Sequence, residues 1–388
     1  MNIPKLRFKD NNGNDYPQWE KKLIKDILKI YHGKDYKNEP NEKKLYPVLG
    51  TGGIITYIDK FLCAWECVLI GRKGTINKPQ YMKTPFWSVD TLFYSKPKLK
   101  QNPKFQYYLF QNINWKIYDE STGVPSLSAS TIEHINRFIP TYAEQEKIAS
   151  FFSTIDKKIE NLTNTITSLE NQKKGLLQQI FSQKLRFKDK NGNNYPNWEK
   201  KKLGKLLSIT SSKRVHEADW TTSGIPFYRA RDIVSIFNNK PISKIYISEK
   251  LYEECSSSCG KISENDLLVT GVGTIGIPYL VKKSDKFYFK DGNIIWLKNS
   301  PAIYGKYLFY IFISSYVQKQ INMMTGKGTV GTYTIKNAKD TNILLPCLEE
   351  QTKIADFLSA FDRKLDNQKA QLEHWQQIKK GLLQQMFV

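Results

Sequence analysis

The chain has 388 residues and a net charge of +22 from 59 lysines and arginines against 37 aspartates and glutamates, with 40% hydrophobic and 13% aromatic residues. That length holds two domains with real cores, and the aromatic content excludes a disordered basic tail. The positive excess favours a polyanionic partner, because each Lys or Arg near a phosphate releases a condensed counterion, while the absence of any apolar run near Met1–Asp10 or of roughly 18 apolar residues anywhere argues against a signal peptide or a membrane partner.

The first element along the chain, residues 5–22 (KLRFKDNNGNDYPQWEKK), returns at 184–201 as KLRFKDKNGNNYPNWEKK, with 15 of 18 positions identical at an offset of 179. Self-similarity of this kind signals a repeated architecture. A variable region, 29–143, follows. Its runs CVLIG (67–71) and WSVDTLFY (87–94) predict strands with tight turns, and PKFQYYLFQNI (103–113) predicts a helix. Arg72, Lys73, Lys78, Tyr81 and Lys83 crowd its loops, with Thr75 in the GRKGTI segment. Arg, Lys and small polar side chains on loops can reach base edges or hold phosphates. Taken singly, each is more often a solvated surface group than a contact; the cluster is what carries the reading.

Residues 144–181 recur without a gap at 350–387, with 18 of 38 positions identical at an offset of 206. In the first copy Ile148, Phe152, Ile155, Ile159, Leu162, Ile166, Leu169, Leu176 and Ile180 follow steps of four and three, interrupted at Lys173. In the second copy Ile354, Leu358, Phe361, Leu365, Leu372, Trp375, Leu382 and Met386 do the same, interrupted at Gln368 and Lys379. This heptad seam predicts two coiled-coil helices, each starting just after a proline (Pro140, Pro346) and each about 57 Å long. The partner of each is either the other helix, antiparallel, or a second chain; the matched phase and length favour the intrachain pair.

The second variable region, 208–349, is 27 residues longer than the first. DLLVTGVGTIGIPYLV (266–281) and GNIIWL (292–297) predict strands, and YGKYLFYIFISSYVQKQI (304–321) predicts helix. Its candidate DNA contacts are Lys213, Arg214, Arg229, Arg231, Thr274, Lys327, Thr329 and Tyr333. Gly74-Thr75-Ile76 matches Gly273-Thr274-Ile275 at an offset of 199. Gly271–Gly276 fits GxGxxG but leads into Ile277-Pro278 and another strand, so it predicts a hairpin turn and not a dinucleotide site. The loop 326–332 (GKGTVGT) lacks the Gly-Lys-Ser/Thr ending of a phosphate loop.

Two C-x3-C pairs raise the question of zinc. Cys63 and Cys67 lie in an apolar run, Cys255 and Cys259 in what reads as a Ser-rich loop, and neither pair has further ligands nearby, so reduced, unligated thiols and no metal are expected. His32, His134, His216 and His374 are scattered, and the chain has neither an Asn/Asp-Pro-Pro-aromatic methyltransferase motif nor a nuclease cluster.

The expected fold is α+β: two α/β domains separated by two long antiparallel coiled-coil helices, with a pseudo-twofold internal repeat. The expected layout is 1–143, head motif and first domain; 144–183, first helix; 184–349, second head motif and domain; 350–388, second helix. A DNA-reading adaptor competes with a single-chain enzyme, which would need a catalytic motif, and with a coiled-coil scaffold carrying peptide-binding domains.

The segments IPTYAEQEKIASFFSTID and LLPCLEEQTKIADFLSAFD, the endings KKGLLQQIF and KKGLLQQMF, GRKGTI with GVGTIG, and the head motifs closing in Tyr-Pro-x-Trp-Glu resemble specificity subunits of type I restriction-modification systems over essentially the whole chain. The resemblance implies two target-recognition domains, each reading one half of a bipartite site in double-stranded DNA. It implies two modification subunits as partners, which bind S-adenosylmethionine and methylate adenine. Two restriction subunits using ATP and Mg²⁺ would be able to join them. The cofactors would belong to those partners, none to this chain, and the setting would be cytoplasmic and nucleoid-associated.

Overall fold

Residues 4–325 and 331–387 are described by the computed structural model. They form two compact units, one of Met1–Thr165 with Gln368–Val388, the other of Ile166–Asn367. The long helices Tyr142–Phe181 and Leu348–Met386 are therefore not separate domains, since each begins in one unit and ends in the other.

Each unit is built on the same strand plan. In the first, a four-stranded antiparallel sheet runs in the order Leu28–Tyr31, Leu92–Pro97, Cys67–Gly71, Gln80–Met82. A smaller sheet sets Tyr46–Gly50 between Gly53–Ile58, antiparallel, and Trp87–Ser88, parallel. The second unit repeats this with Ile209–Thr210, Ile294–Leu297, Leu267–Thr270 and Pro278–Leu280. Its smaller sheet sets Ile225–Tyr228 between Tyr246–Ile247, antiparallel, and Tyr288–Phe289, parallel, and adds a fourth strand, Trp220–Thr221, antiparallel to Tyr246–Ile247 at the edge. The repeat thus extends through regions whose sequences share only fragments. These strands form because β-branched and aromatic residues fill positions buried on both faces, as in the wholly buried CVLIG and IIWL.

The head motifs end in short strands that the sequence pattern did not reveal. Glu20–Leu23 pairs with Asn136–Ile139, and Glu199–Lys202 with Asn342–Leu345, so each motif is stitched to the segment just before a long helix. Arg7 donates to Glu144 (Nη2–Oε2 2.7 Å), and Trp19 Nε1 donates to the same oxygen at 3.0 Å. Arg186 and Trp198 treat Glu350 identically, at 2.8 Å each. Both carboxylates are fully buried, so these hydrogen bonds replace the water they have lost.

The seam finds its partner inside the chain in both units, against the two-chain alternative. In the first unit Lys379 meets Asp156 while Phe387 packs near Phe152, an antiparallel run. In the second, Lys173 meets Asp362, and Ile180 shares a core with Ile354 and Leu358. Ile148, Phe152, Ile155, Leu162, Ile166, Leu169, Ile354, Leu358 and Leu365 are buried; Ile159, Leu176, Phe361, Leu372, Trp375 and Leu382 are half-buried. Near the end of the second helix burial moves from Leu382 to Leu383, Met386 and Phe387, because the chain turns into an aromatic core made with Trp19 and Phe105. Phe181 fills the matching place against Trp198 and Tyr307. Each such buried side chain contributes about 1.5–3 kcal/mol.

Among the described residues, no helix is long and apolar enough to cross a membrane, and no cluster of three or more His, Cys, Asp or Glu side chains could hold a metal ion. Cys63 and Cys67 are buried with their sulfurs 3.8 Å apart. Cys255 and Cys259 lie on a helix, Glu249–Cys259, where a loop was expected. Ser248 caps its start by accepting from Leu251 N–H, and Gly260 at φ +92° ends it, so the caps outweigh the weak helix preference of the serines between them.

Candidate nucleic-acid interface

The repeated Gly-Thr-Ile segment marks the same turn in both units. In the first unit it follows strand Cys67–Gly71; in the second it joins Leu267–Thr270 to Pro278–Leu280, as a hairpin should. Gly74 (φ +86°) and Gly273 (φ +68°) occupy the left-handed region, which is why the glycine recurs. The first turn is pinned by Gly74 N–H to Pro125 O, 2.8 Å, and by Arg72 N–H to Thr91 O, 2.8 Å. The second is pinned by the Thr270 hydroxyl, which donates to Thr274 O at 2.6 Å and accepts from Ile277 N–H at 3.0 Å.

In the second unit the turn faces helix Ala230–Phe237 across a cleft of about 720 Å³. Arg231 and Thr274 line this cleft together with Lys290 and Asn293, which also line a smaller hollow beside Arg214. Arg214 is exposed and pairs with Asp291 at 3.2 Å, and Lys213 is exposed on the adjoining loop. The expected contacts Lys213, Arg214, Arg231 and Thr274 thus sit on or beside one concave surface. Lys290 and Asn293 escaped the sequence reading. Their signal was the Asp291-Gly292 pair, a turn former, ahead of the strand that drew attention instead.

Two expected contacts are buried. Arg229 is 8% exposed and spent on Asp232 (Nε–Oδ2 2.8 Å, Nη2–Oδ1 3.1 Å) and on Ser243 Oγ at 2.6 Å. Tyr333 is fully buried; its hydroxyl bonds Thr341 Oγ1 at 2.6 Å, and its backbone N–H holds the carbonyl of Gly271 at 2.8 Å. Arg229, held by these partners, still lines the cleft beside Trp220 and Arg231, whereas Tyr333 lies outside it and steadies the strand that leads into the turn. Lys327 and Thr329 lie outside the described residues.

In the first unit Lys73 and Lys78 are exposed, and Arg72 and Thr75 are half-buried on or near the turn. Arg72 Nη1 leans on Asp90 O at 3.3 Å. Tyr81 and Lys83 belong elsewhere: they line a hollow against the long helix with Glu66, Glu146, Asp156 and Glu160. Tyr81 donates to Glu66 Oε2 at 2.7 Å, and Lys104 Nζ sits 4.1 Å from its ring centre. Burial lowers the Lys104 ammonium below its ordinary value, and burial followed by Glu66 raises the Tyr81 phenol. This hollow mixes those four carboxylates with Lys83, Lys104 and Lys157, so Tyr81 and Lys83 sit beside the long helix in a surface of mixed charge.

The family model for the type I restriction modification DNA specificity domain matches this chain twice, at residues 16–171 and 195–374. The chain is 24% identical over 426 aligned positions to the type I restriction enzyme MjaVIII specificity subunit of Methanocaldococcus jannaschii, covering 97% of this chain and 94% of that one. To the MjaIX specificity subunit of the same organism it is 24% identical, with the same coverage. Its fold is similar to that of a type I restriction-modification S subunit from M. genitalium, at a TM-score of 0.64 and 19% identity, covering 100% of this chain and 99% of that one.

Proposed function

The chain belongs to the type I restriction-modification DNA specificity family, and from that premise we propose that each unit reads one half of a bipartite duplex site, with all chemistry carried out by partner subunits. A DNA-specificity role without a catalytic centre is what membership entails. The observation that supports one half-site per unit is the pairing of one strand plan with two different surfaces beside the same glycine turn. A constant frame with divergent inserts suits two readers of different sequence.

On this reading two modification subunits dock on the repeated helices and methylate adenine using S-adenosylmethionine. Restriction subunits that consume ATP with Mg²⁺ join the same assembly, which acts in the cytoplasm on the nucleoid. The cofactors are held by the partners. This chain supplies location: cationic loops that hold phosphates and polar side chains that discriminate base edges.

Mapping methylated adenine genome-wide, with and without this chain, tests the reading. A two-part motif that disappears with the chain is expected, and exchange of residues 29–143 for those of a relative should alter one half alone. A motif changed in both halves would refute one half-site per unit. Methyl transfer by the purified chain alone would instead favour an enzyme.

A further inference from the structure

Beside the repeated glycine turn, the two units fill the same topological slot with different elements. In the first unit strand Tyr46–Gly50 reverses through Thr51–Gly52 directly into Gly53–Ile58. That tip adjoins the turn, since a Cβ on Gly74 would lie 4.0 Å from Thr51 Oγ1. In the second unit the corresponding strand is Ile225–Tyr228, identified by its parallel neighbour Tyr288–Phe289. It does not meet its antiparallel partner until Tyr246–Ile247, and the intervening chain forms helix Ala230–Phe237. Arg231 and Ser235 of that helix line the cleft opposite Val272, Gly273 and Thr274.

This helix has a fixed footing and a free face. Ala230, Asp232 and Ile233 are buried, and Arg229 clamps the first turn through Asp232 and Ser243 with its guanidinium 5.7 Å from the Trp220 ring. Asp232 neutralises Arg229. Arg231 is exposed and makes no ion pair among the described residues. Ser235 and Asn238 follow it at i+4 and i+7, hence on the same side of the helix. An eight-residue helix is about 12 Å long, and the major groove is about 12 Å wide and admits a helix.

We propose that helix Ala230–Phe237 is the base-reading element of the second unit, lying in the major groove of one half-site with Arg231 on a guanine edge and Ser235 beside it. The proposal rests on the DNA-reading role above and adds which residue specifies a base. Arg231 carries a planar fork that matches the two acceptors of guanine, and its neighbours hold the helix from beneath without occupying that fork. Lys290, across the cleft, supplies charge for the backbone.

The test is methylated-base mapping in the complete system carrying Arg231→Ala or Arg231→Lys, beside the unaltered chain. Arg231→Ala should make one G·C position of a single half-site degenerate, with discrimination there falling roughly 5- to 150-fold, and leave the other half intact. Arg231→Lys should retain overall methylation yet lose discrimination at that position, because charge remains and the fork does not. Because Arg231 is exposed, the unfolding midpoint of both variants should stay within about 2 °C of the parent. An unchanged motif at full occupancy overturns the proposal while leaving the specificity role standing. Uniform weakening at every site overturns it too, since that is the behaviour of a phosphate contact. Should the unaltered chain confer no two-part motif, the broader reading is what fails.

Discussion

Lys379, near the end of the second long helix, reaches Asp156 on the first, with Nζ 2.7 Å from Oδ1. Asp156 also accepts from the Tyr108 hydroxyl at 2.7 Å. The helix repeat, at its offset of 206, carries Asp156 to Asp362 and Lys173 to Lys379. Lys173 pairs with Asp362 at 2.5 Å, and Tyr310 donates to Asp362 at 2.7 Å. The lysines that interrupt the apolar seam are therefore the two halves of one reciprocal device. It ties each helix to the other and to the domain beneath, and a shift of one turn would break both pairs.

A mutant cycle reads this coupling. Asp156→Asn, Lys379→Met and the double variant should show an interaction of about 1 kcal/mol in urea unfolding, since both side chains keep some solvent. Asp362→Asn with Lys173→Met should give a similar value. Strict additivity in both cycles would contradict the device.

The buried carboxylates of Glu144 and Glu350 carry more. Glu144→Gln leaves Arg7 facing an uncharged acceptor and should cost about 3 kcal/mol in chemical unfolding. Glu350→Gln should cost about the same through Arg186. The hydrogen bond that Arg7 donates to Glu144 raises the Arg7 pKa above its ordinary value, and a guanidinium stays charged at neutral pH even without that partner. Adding Arg7→Met to Glu144→Gln should recover part of the loss; no recovery would mean that Glu144 acts mainly through Trp19.

Leu6 and Gln385 occupy the places that the repeat gives to Leu185 and Gln179. Leu6 N–H donates to Gln385 O at 3.1 Å, and Leu185 N–H donates to Gln179 O at 3.1 Å. The second contact lies within one stretch of chain; the first joins segments far apart in sequence. A permuted chain with residue 388 fused to residue 1 and new ends opened between residues 182 and 184 should fold with an unfolding midpoint within about 5 °C of the parent. Calorimetry checks this, and loss of the cooperative transition would count against it.

The thiols should react unequally. Cys347 is exposed, Cys259 half-buried, and Cys63, Cys67 and Cys255 buried. Burial also pushes the Cys255 thiol upward, away from its reactive thiolate. A colourimetric thiol assay on the native chain should show one fast equivalent, and Cys347→Ser should abolish it. A fast phase that persists in that variant would mean that the cores open readily.

Much of this protein is legible in its sequence. Heptad spacing marked the helices because burial on one helix face requires it, and Pro140 and Pro346 marked their starts. The glycine turn was readable as a hairpin because Ile277-Pro278 leads into a second apolar, strand-like run and not into the helix that a nucleotide site needs. The candidate contacts were less so. Arg229 and Arg231 are alike in sequence, but Asp232 and Ser243 claim one and leave the other free. Tyr81 fell to Glu66, fifteen residues away in sequence and beside it in space.

By itself, the sequence determined the repeat, the helices and the family, since these depend on periodicity and identity along the chain. Tertiary structure decided what the interruptions and the charges do. Lys173 and Lys379 read as flaws in a seam until the partner aspartates are seen, because an ion pair between residues 223 positions apart leaves no local pattern. The same holds for the strand plan shared by the variable regions: backbone pairing tolerates almost any side chains that alternate or bury correctly, so the frame persisted while its letters changed. Which cation faces outward is settled last, by the neighbours that packing brings to it.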